Sequence, residues 1–492
     1  MTAARAFARQ SIGWAFTQYL ARAALLARGL VAAVVLGPAG YGGWNALNLI
    51  LDYGAYASLG VIYGLDVALP GWVERGDRAR ATWLCRSAWT WTLGGGLLFA
   101  AGAIALRAVG MTALDGPWGP GPQALMLVAA LLQLTIAYVM SVLRANGRIP
   151  AVSAGGAIQA VLGGLLGIAL VGRLGVWGLI GAWIFGQITA LLWMGRAGVA
   201  IPLRPTAHPE AKALLLTGLP IFGCFLASLV LRSADRLAFV HYLGTEPLGY
   251  YSVGLMAASL VLYPAEAAGF VLYPRMASAH HGARDQERTR REVLRVHRVL
   301  CVFIPIVAGL GVLWAEPVVH GLLPAYAPGV TAMRVLALGS LALSASTVPG
   351  YFLLASGHER KALAAALVAA AVSLAVVFTV AARRREGGAI ALASASGYAF
   401  FALLILALAA RVLWPAARAR VAFVAASVGP ALWGGTLAFG LRAAPGAPAL
   451  ATVLPSCLFL LAYAPMLWLV RNTGLRALIH PPAQAPSSPH SA

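Results

Sequence analysis

The chain has 492 residues, of which 60% are hydrophobic and only 10% are charged, and its mean hydropathy is +0.81. A soluble domain carries about 25% charged residues, so one water-exposed core cannot bury this many apolar side chains, and lipid must be the solvent. The formal net charge of +21 would suit nucleic acid, but the basic residues lie in short loops between apolar segments, where they set membrane orientation. We therefore expect neither a soluble fold nor a nucleic-acid partner.

Apolar segments fill the chain from end to end. Each is near the length of about 20 residues that a helix needs to cross a bilayer, and strict alternation is absent, so helices are predicted rather than a barrel. The fold class is thus all-α, a polytopic membrane protein with about fourteen transmembrane helices. The predicted spans are 12–36, 42–69, 83–107, 122–143, 151–172, 176–195, 213–240, 247–272, 299–315, 331–355, 362–382, 389–410, 421–441 and 449–470.

The loops predict the orientation of these spans. Most Lys and Arg residues fall in loops on one side when the amino terminus is inside, which predicts that both termini are cytoplasmic. The triplet Arg383–Arg385 falls on the opposite side. An error in the placing of spans eleven and twelve is the explanation that we expect for it.

An internal repeat divides the chain. Residues 36–47 read LGPAGYGGWNAL and residues 243–255 read LGTEPLGYYSVGL, about 208 residues apart. Six spans separate the copies, so both copies face the same way, and two parallel six-helix bundles are predicted. The domains are then 1–212 with helices 1–6, 213–411 with helices 7–12, and 412–492 with helices 13–14 and a disordered tail.

Three segments carry a resemblance to a known family. They are LGPAGYGGWN after span one, GLDVALPGWVERGD after span two and ADRLAFVHYLGTEPLGYYS in the middle of the chain. Together they resemble the bacterial Wzx-type oligosaccharide flippases of the multidrug/oligosaccharidyl-lipid/polysaccharide exporter superfamily. The resemblance implies a V-shaped pair of bundles that moves undecaprenyl-diphosphate-linked sugar repeat units across the bacterial inner membrane by alternating access around a cationic cavity. Lipid II flippases, close relatives, likewise keep arginines in their first and later spans.

Arg22 and Arg28 are two cations near the middle of span one. Each costs roughly 2.5–3.5 kcal/mol at a helix centre, so a compensating role is expected. Six residues of helix separate them by about 9 Å in depth and about 120° in azimuth, so they cannot line one narrow stripe. One hypothesis is that both point into a hydrated cavity and bind a diphosphate, for which the planar guanidinium fork is suited. The alternative is that they pair with Asp52 or Asp66, or extend to the interface.

Span seven, the repeat counterpart of span one, carries Arg232, Asp235 and Arg236. We expect Asp235 to pair with Arg232 three residues earlier, which leaves Arg236 less compensated. These residues are predicted either to form the opposite wall of the cavity, with Arg232 and Arg236 as further substrate-binding cations, or to make an internal salt bridge.

Asp52, Asp66 and Glu266 are the remaining carboxylates within spans. A buried carboxylate can bind H⁺ or Na⁺ and couple transport to an ion gradient. Glu266 is the better coupling candidate, Asp52 could couple or pair with an arginine, and Asp66 is expected to pair with arginines near the cytoplasmic end. Asp235 belongs to the same group of coupling or pairing residues.

Other motifs exclude several kinds of chemistry. No phosphate-binding glycine loop followed by Lys-Ser/Thr is present, so ATP-driven export is not expected. The histidines and four cysteines lack metal-ligand spacing, so no metal site and no cofactor are expected apart from an H⁺ or Na⁺ gradient. The Gly94–Gly96 run is expected to allow close helix packing.

The leading hypothesis is a flippase and not an enzyme, with a polyprenyl-diphosphate-linked glycan and the bilayer as partners. Other polysaccharide-assembly membrane proteins are further candidate partners, and a monomer is expected because each chain holds both halves. The alternatives are an ion-coupled organic-cation antiporter of the same superfamily, a lipid II flippase, and a membrane polymerase or ligase. An antiporter needs a carboxylate-dominated cavity, and a polymerase a large external loop. The sequence shows neither.

Overall fold

The computed structural model describes residues 2–108, 118–198, 210–278, 283–442 and 450–470, with the backbone alone for 2–19, 210–211, 270–271, 274–275, 277–278, 283–286, 288–289 and 468–470. Every regular element in these ranges is a helix. The helices are α1 Thr2–Gly54, α2 Val61–Glu74, α3 Arg78–Ala108, α4 Gly121–Ala145, α5 Ile149–Gly195, α6 Glu210–Tyr242, α7 Thr245–Ser278, α8 Ala283–Leu322, a 3-10 helix Pro324–Gly329, α9 Val330–Ala355, α10 Glu359–Arg384, α11 Gly387–Leu413, α12 Ala417–Gly440 and α13 Leu450–Val470. The all-α prediction is confirmed, and the predicted tail lies outside the described residues.

Helix α1 is a hairpin of two segments. The guanidinium carbon of Arg28 lies 5.5 Å from the ring centre of Trp44, whereas sixteen residues of straight helix would separate them by about 24 Å. The reversal occurs at Gly37, with φ 66° and ψ 178°, a conformation open essentially to glycine alone. Pro38 follows and starts the second segment, because its fixed φ suits a first helical turn.

Helix α5 folds back in the same way at Gly175, which has φ 56° and ψ −133°. Gly163 in its first segment packs against Trp183 in its second, although twenty residues separate them. Twelve described helical stretches are long and apolar enough to cross a membrane. Because two of them each hold two antiparallel segments, the fourteen spans predicted from sequence agree with the structure.

Span two is interrupted near its middle. Residues 55–60 form turns between the end of α1 and the start of α2, with Leu59 at φ 51° and Gly60 at φ 97°. Gly95 of α3 packs on the carbonyl oxygen of Ala57, and Gly218 of α6 packs on that of Gly60. The close packing expected of the Gly94–Gly96 run is therefore confirmed at Gly95. It covers the backbone where the helix is broken.

The two copies of the repeat meet through reciprocal contacts. Gly42 abuts the carbonyl oxygen of Thr245, and Gly249 abuts that of Pro38. Thr245 and Gly249 stand 207 residues after Pro38 and Gly42. An exchange of equivalent partners is what a two-fold relation between the copies produces. Farther along, α1 packs on α7 and α2 on α6.

Hydrophobic clusters of the described residues lie mainly within one half of the chain, but three of them cross between halves. One of the three places Leu214 of α6 among residues of α2, α3, α4 and α5. Ala46 joins a cluster built mostly from α6, α7, α9, α10 and α11. Val253 and Tyr326 join a cluster built mostly from α1, α4 and α5. The division at 212 and 411 stays a prediction.

The triplet Arg383–Arg385 ends α10, and α11 follows directly. Spans eleven and twelve therefore lie where the sequence puts them, and the expected placement error is wrong. Gly387 lies against Phe239, next to the α6–α7 turn at Gly244, so the triplet lies at the same end of the molecule as Gly37. Nothing in the structure explains three arginines there.

Candidate functional site

Arg22 lies at the contact between α1 and α7. Its side chain is exposed, and its guanidinium carbon lies 4.7 Å above the ring centre of Tyr263. No described carboxylate is within ion-pair distance of it. A guanidinium over a tyrosine ring keeps its full charge and its donors, because the ring quadrupole attracts the cation without neutralising it. Arg22 is thus a free cation in this part of the molecule.

Arg28 lies on another face of α1, inside the first half. Its guanidinium is placed between the rings of Trp44 and Trp183, at 5.5 and 5.0 Å, and its stem packs on Gly167. The Nη1 atom is buried and has no hydrogen-bond partner. The two arginines therefore point in different directions, as their azimuths require. The predicted cavity role of Arg28 depends on space opening beside these rings.

Arg236 connects the two halves. Its Nη1 donates to Asp52 Oδ2 at 2.9 Å, across 184 residues of sequence, and its side chain is only 15% exposed. One turn away, Tyr53 and Ser233 share a hydrogen bond of 2.7 Å. These contacts join span two to span seven, so the charge of Arg236 is compensated, contrary to expectation.

Asp235 does not pair with Arg232, and that expectation is wrong. The Asp235 carboxylate is buried and accepts hydrogen bonds from the Tyr251 hydroxyl and the backbone N–H of Arg236. Arg232 instead donates to Glu266 Oε1 at 2.8 Å. Residues three apart on a helix can pair, but here both side chains have partners on α7, Glu266 for Arg232 and Tyr251 for Asp235, fifteen residues apart.

Asp66 receives two hydrogen bonds from Arg144 Nη2, at 3.0 and 2.9 Å, in the last turn of α4. Pairing of Asp66 with a cation near that helix end is as expected. Since Asp52 is bound by Arg236 and Asp66 by Arg144, neither carboxylate pairs with an arginine of span one. That alternative for Arg22 and Arg28 is wrong.

A cavity of about 170 Å³ lies within the second half, and the Arg232–Glu266 pair forms part of its wall. The two side chains are 44% and 30% exposed, so the pair is at an opening. Glu266 is one turn from Tyr263 on α7, and the guanidinium of Arg22 lies over the ring of Tyr263. The structure therefore brings Arg22, Arg232 and Glu266 to one region, while Arg28 lies inside the first half. Arg236 is one turn from Arg232 on α6, but its side chain is bound by Asp52.

Aromatic partners of these charges were missed by the sequence analysis. Tyr263, Trp44, Trp183 and Tyr251 each hold one of the charged side chains in place. Aromatic residues are common in membrane spans, where most face lipid or core, so their spacing gives no signal of a site. Only the charges were visible in the sequence.

Comparisons with known proteins agree with this fold. The model of a family described as polysaccharide biosynthesis protein matches residues 121–325. A comparison with curated proteins gave no match.

Several solved structures share the architecture. The lipid II flippase MurJ in an inward closed conformation has 12% identity and a TM-score of 0.70, covering 95% of this chain and 100% of MurJ. An inward-facing MATE multidrug resistance transporter of the MOP superfamily has 14% identity and a TM-score of 0.63, covering 79% of this chain and 93% of the transporter. A MATE structure in the bent conformation has 15% identity and a TM-score of 0.57, over 86% and 96%.

At identities of 12–15% these matches show a shared fold alone, and the matched structures are those of transporters and a flippase. The chain is a multi-pass membrane protein of this architecture. The family model and the shared fold together support the resemblance to the Wzx-type flippases of that superfamily, inferred above from the sequence segments.

Proposed function

We propose that this protein flips undecaprenyl-diphosphate-linked oligosaccharide repeat units across the bacterial inner membrane, as a transporter and not an enzyme. Both termini are then cytoplasmic, and the protein acts as a monomer. The observation that carries the proposal is Arg22, an exposed cation at the contact of α1 and α7 with no carboxylate partner among the described residues. An uncompensated charge at this depth is costly unless it meets an anion during function.

A diphosphate satisfies this requirement. Its oxygens match the planar donor fork of a guanidinium, and the arginine stays charged at any working pH. Arg232 lies in the same region but is held by Glu266 at 2.8 Å. A diphosphate that reaches Arg22 would compete with Glu266 for Arg232, and the released carboxylate could then take up H⁺ or Na⁺. This is our proposal for how transport is coupled to an ion gradient.

Organic-cation antiport is supported less well by the same geometry. A cationic drug needs a free carboxylate, but Asp52 and Glu266, each about one-third exposed, are both bound by arginines at 2.8–2.9 Å. The buried Asp235 is held by Tyr251 and a backbone N–H. A cation would have to displace a guanidinium at each of the exposed carboxylates, whereas an anion finds Arg22 available.

The test is a flipping assay with Arg22→Gln. Proteoliposomes containing the protein receive a fluorescent undecaprenyl-diphosphate-linked sugar, and a membrane-impermeant quencher reports which leaflet holds it. Loss of a charge-assisted hydrogen bond of about 1.5–3 kcal/mol predicts a roughly ten- to hundredfold slower rate. Arg22→Lys keeps the charge but loses the fork, so an intermediate rate is expected.

Arg291→Gln is the matched control, because this arginine is 71% exposed at the start of α8 and its loss removes the same charge. It should flip at the wild-type rate. Undiminished flipping by Arg22→Gln would contradict the role of this arginine. No flipping by the wild type, together with efflux of organic cations from the same vesicles, would favour the antiporter.

A further inference from the structure

The cavity inside the second half has the size of one six-membered ring. Its volume is about 170 Å³, and a cavity of about 150 Å³ in another protein takes up a single benzene ring. It is bounded by α6, α7, α9, α10 and α11.

The walls combine apolar surface with a few hydroxyl groups. Phe225, Leu262, Leu343 and Phe401 are among the apolar residues. The mixture of apolar walls and a few placed polar groups is typical of a small-molecule site. A sugar ring presents apolar C–H faces and hydroxyl edges, so it matches both kinds of wall.

The hydroxyls of the wall are oriented to accept hydrogen bonds from a ligand. Ser228 donates to the carbonyl of Cys224, and Ser346 and Thr347 both donate to that of Leu343. Each hydroxyl oxygen then keeps lone pairs that can accept a hydrogen bond. Acceptors of this kind suit the O–H groups of a sugar, while a hydrocarbon chain would leave them unused.

The charged pair at the opening determines the orientation that a bound ligand would take. Arg232 and Glu266 are part of the wall and are partly exposed. Arg22 of α1 lies over the ring of Tyr263, which is one turn from Glu266 on α7. A diphosphate held by these arginines would lie at the opening. The group attached to it would then be within reach of the cavity.

We propose that this cavity receives the first sugar ring of the lipid-linked glycan, the ring that is bonded to the diphosphate. The proposal rests on the flippase function proposed above and adds a subsite to it. It predicts that the protein selects for a hexopyranose at that position, and that the polyprenyl tail lies elsewhere.

The test compares two lipids on one protein. Undecaprenyl diphosphate and the same lipid carrying a single glucose are titrated onto the purified protein in nanodiscs, and both affinities are measured by native mass spectrometry. The wild type should bind the glucosylated lipid more tightly. Gly350→Leu should fill the cavity, because a Cβ at Gly350 would meet only Ile405, at 3.9 Å. We expect the preference for the glucosylated lipid to fall about tenfold, with the affinity for the bare lipid unchanged.

Two further variants keep the test decisive. Thr347→Val removes a wall hydroxyl at nearly constant volume and should lower the preference a few-fold even if Gly350→Leu does not fold. Gly311→Leu places the same side chain on α8, outside the wall of this cavity and where a Cβ meets nothing within 4 Å. It should behave as the wild type.

Each outcome separates the two proposals. An unchanged preference in both Gly350→Leu and Thr347→Val would overturn the sugar subsite. Equal losses for both lipids would overturn it too, because the cavity would then serve the diphosphate or the tail. Failure of the wild type to bind either lipid would instead remove the flippase function.

Discussion

At the scale of single residues, the membrane-embedded charges divide into compensated and uncompensated groups. Arg236 is held by Asp52 and Arg232 by Glu266, whereas the guanidinium groups of Arg22 and Arg28 lie over aromatic rings and pair with no described carboxylate. Cation–π contacts are worth up to about 2 kcal/mol when desolvated, so two rings offset much of the insertion cost of Arg28. The structure thus tolerates both arginines without removing their charge, and the exposed Arg22 is the one that an anion can reach.

The two ion pairs should differ in their weight for stability. Asp52→Asn leaves Arg236 unpaired at 15% exposure, which predicts a loss of about 3–5 kcal/mol in the free energy of unfolding. Glu266→Gln leaves Arg232 at 44% exposure, where water and salt screen the charge, so a loss below about 1 kcal/mol is expected. Reversible unfolding in mixed micelles measures both values.

The double variant Asp52→Asn with Arg236→Gln serves as the control for that comparison. It removes both charges, so it should recover part of the stability lost in Asp52→Asn alone. Equal losses of unfolding free energy in Asp52→Asn and Glu266→Gln would show that the ion pair between span two and span seven stabilises the protein no more than the Arg232–Glu266 pair does.

At the scale of the elements, spans could be located from hydropathy, but their breaks could not. The reversals at Gly37 and Gly175 were expected as span ends, because apolar segments of about 20 residues must end somewhere. The break at residues 55–60 lies inside a continuous apolar run, and only the backbone shows it, through Leu59 and Gly60. Hydropathy indicates whether a segment lies in lipid or in water, but it does not show where the helix is interrupted.

The broken part of span two predicts a sharp difference between two neighbouring glycines of α3. A Cβ at Gly95 would overlap the carbonyl oxygen of Ala57, while a Cβ at Gly94 meets nothing within 4 Å. Gly95→Ala should therefore cost about 1–3 kcal/mol of unfolding free energy, because backbone cannot move aside as a side chain can. Gly94→Ala should be neutral or slightly stabilising, since alanine favours the helix. Thermal unfolding of both variants in detergent checks the pair; similar melting temperatures would contradict the close packing.

At the scale of the whole molecule, the fold was largely predictable and the site only in part. Spans, all-α class and the repeat follow from hydropathy and from two similar segments, because lipid limits the possible structures. The hydrogen-bond and ion-pair partners of the charged residues do not follow from the sequence. The sequence spacing predicts that Asp235 pairs with Arg232, but the hydroxyl of Tyr251, sixteen residues later, donates to its carboxylate because α6 packs on α7. Such choices depend on side-chain directions that appear only when helices pack.

The reciprocal glycine contacts lead to a prediction about motion between the halves. Gly42 packs on the carbonyl oxygen of Thr245 and Gly249 on that of Pro38, with no room for a side chain at either glycine. If alternating access separates the halves at this end, Gly42→Ala and Gly249→Ala should favour the separated state, because each methyl overlaps a backbone carbonyl. The population then shifts by the free energy of that overlap.

The shift can be measured by pulsed electron resonance between spin labels in a cysteine-free background. Arg173→Cys and Arg384→Cys place the labels on exposed side chains at the Gly37 end, one in each half. Longer distances are expected in Gly42→Ala and Gly249→Ala, while Gly102→Ala, where a Cβ meets nothing within 4 Å, should match the wild type. Because the contacts are reciprocal, either glycine alone should have nearly the same effect. Unchanged distances in both variants would mean that the halves stay joined here throughout transport, and that opening at this end uses other helices.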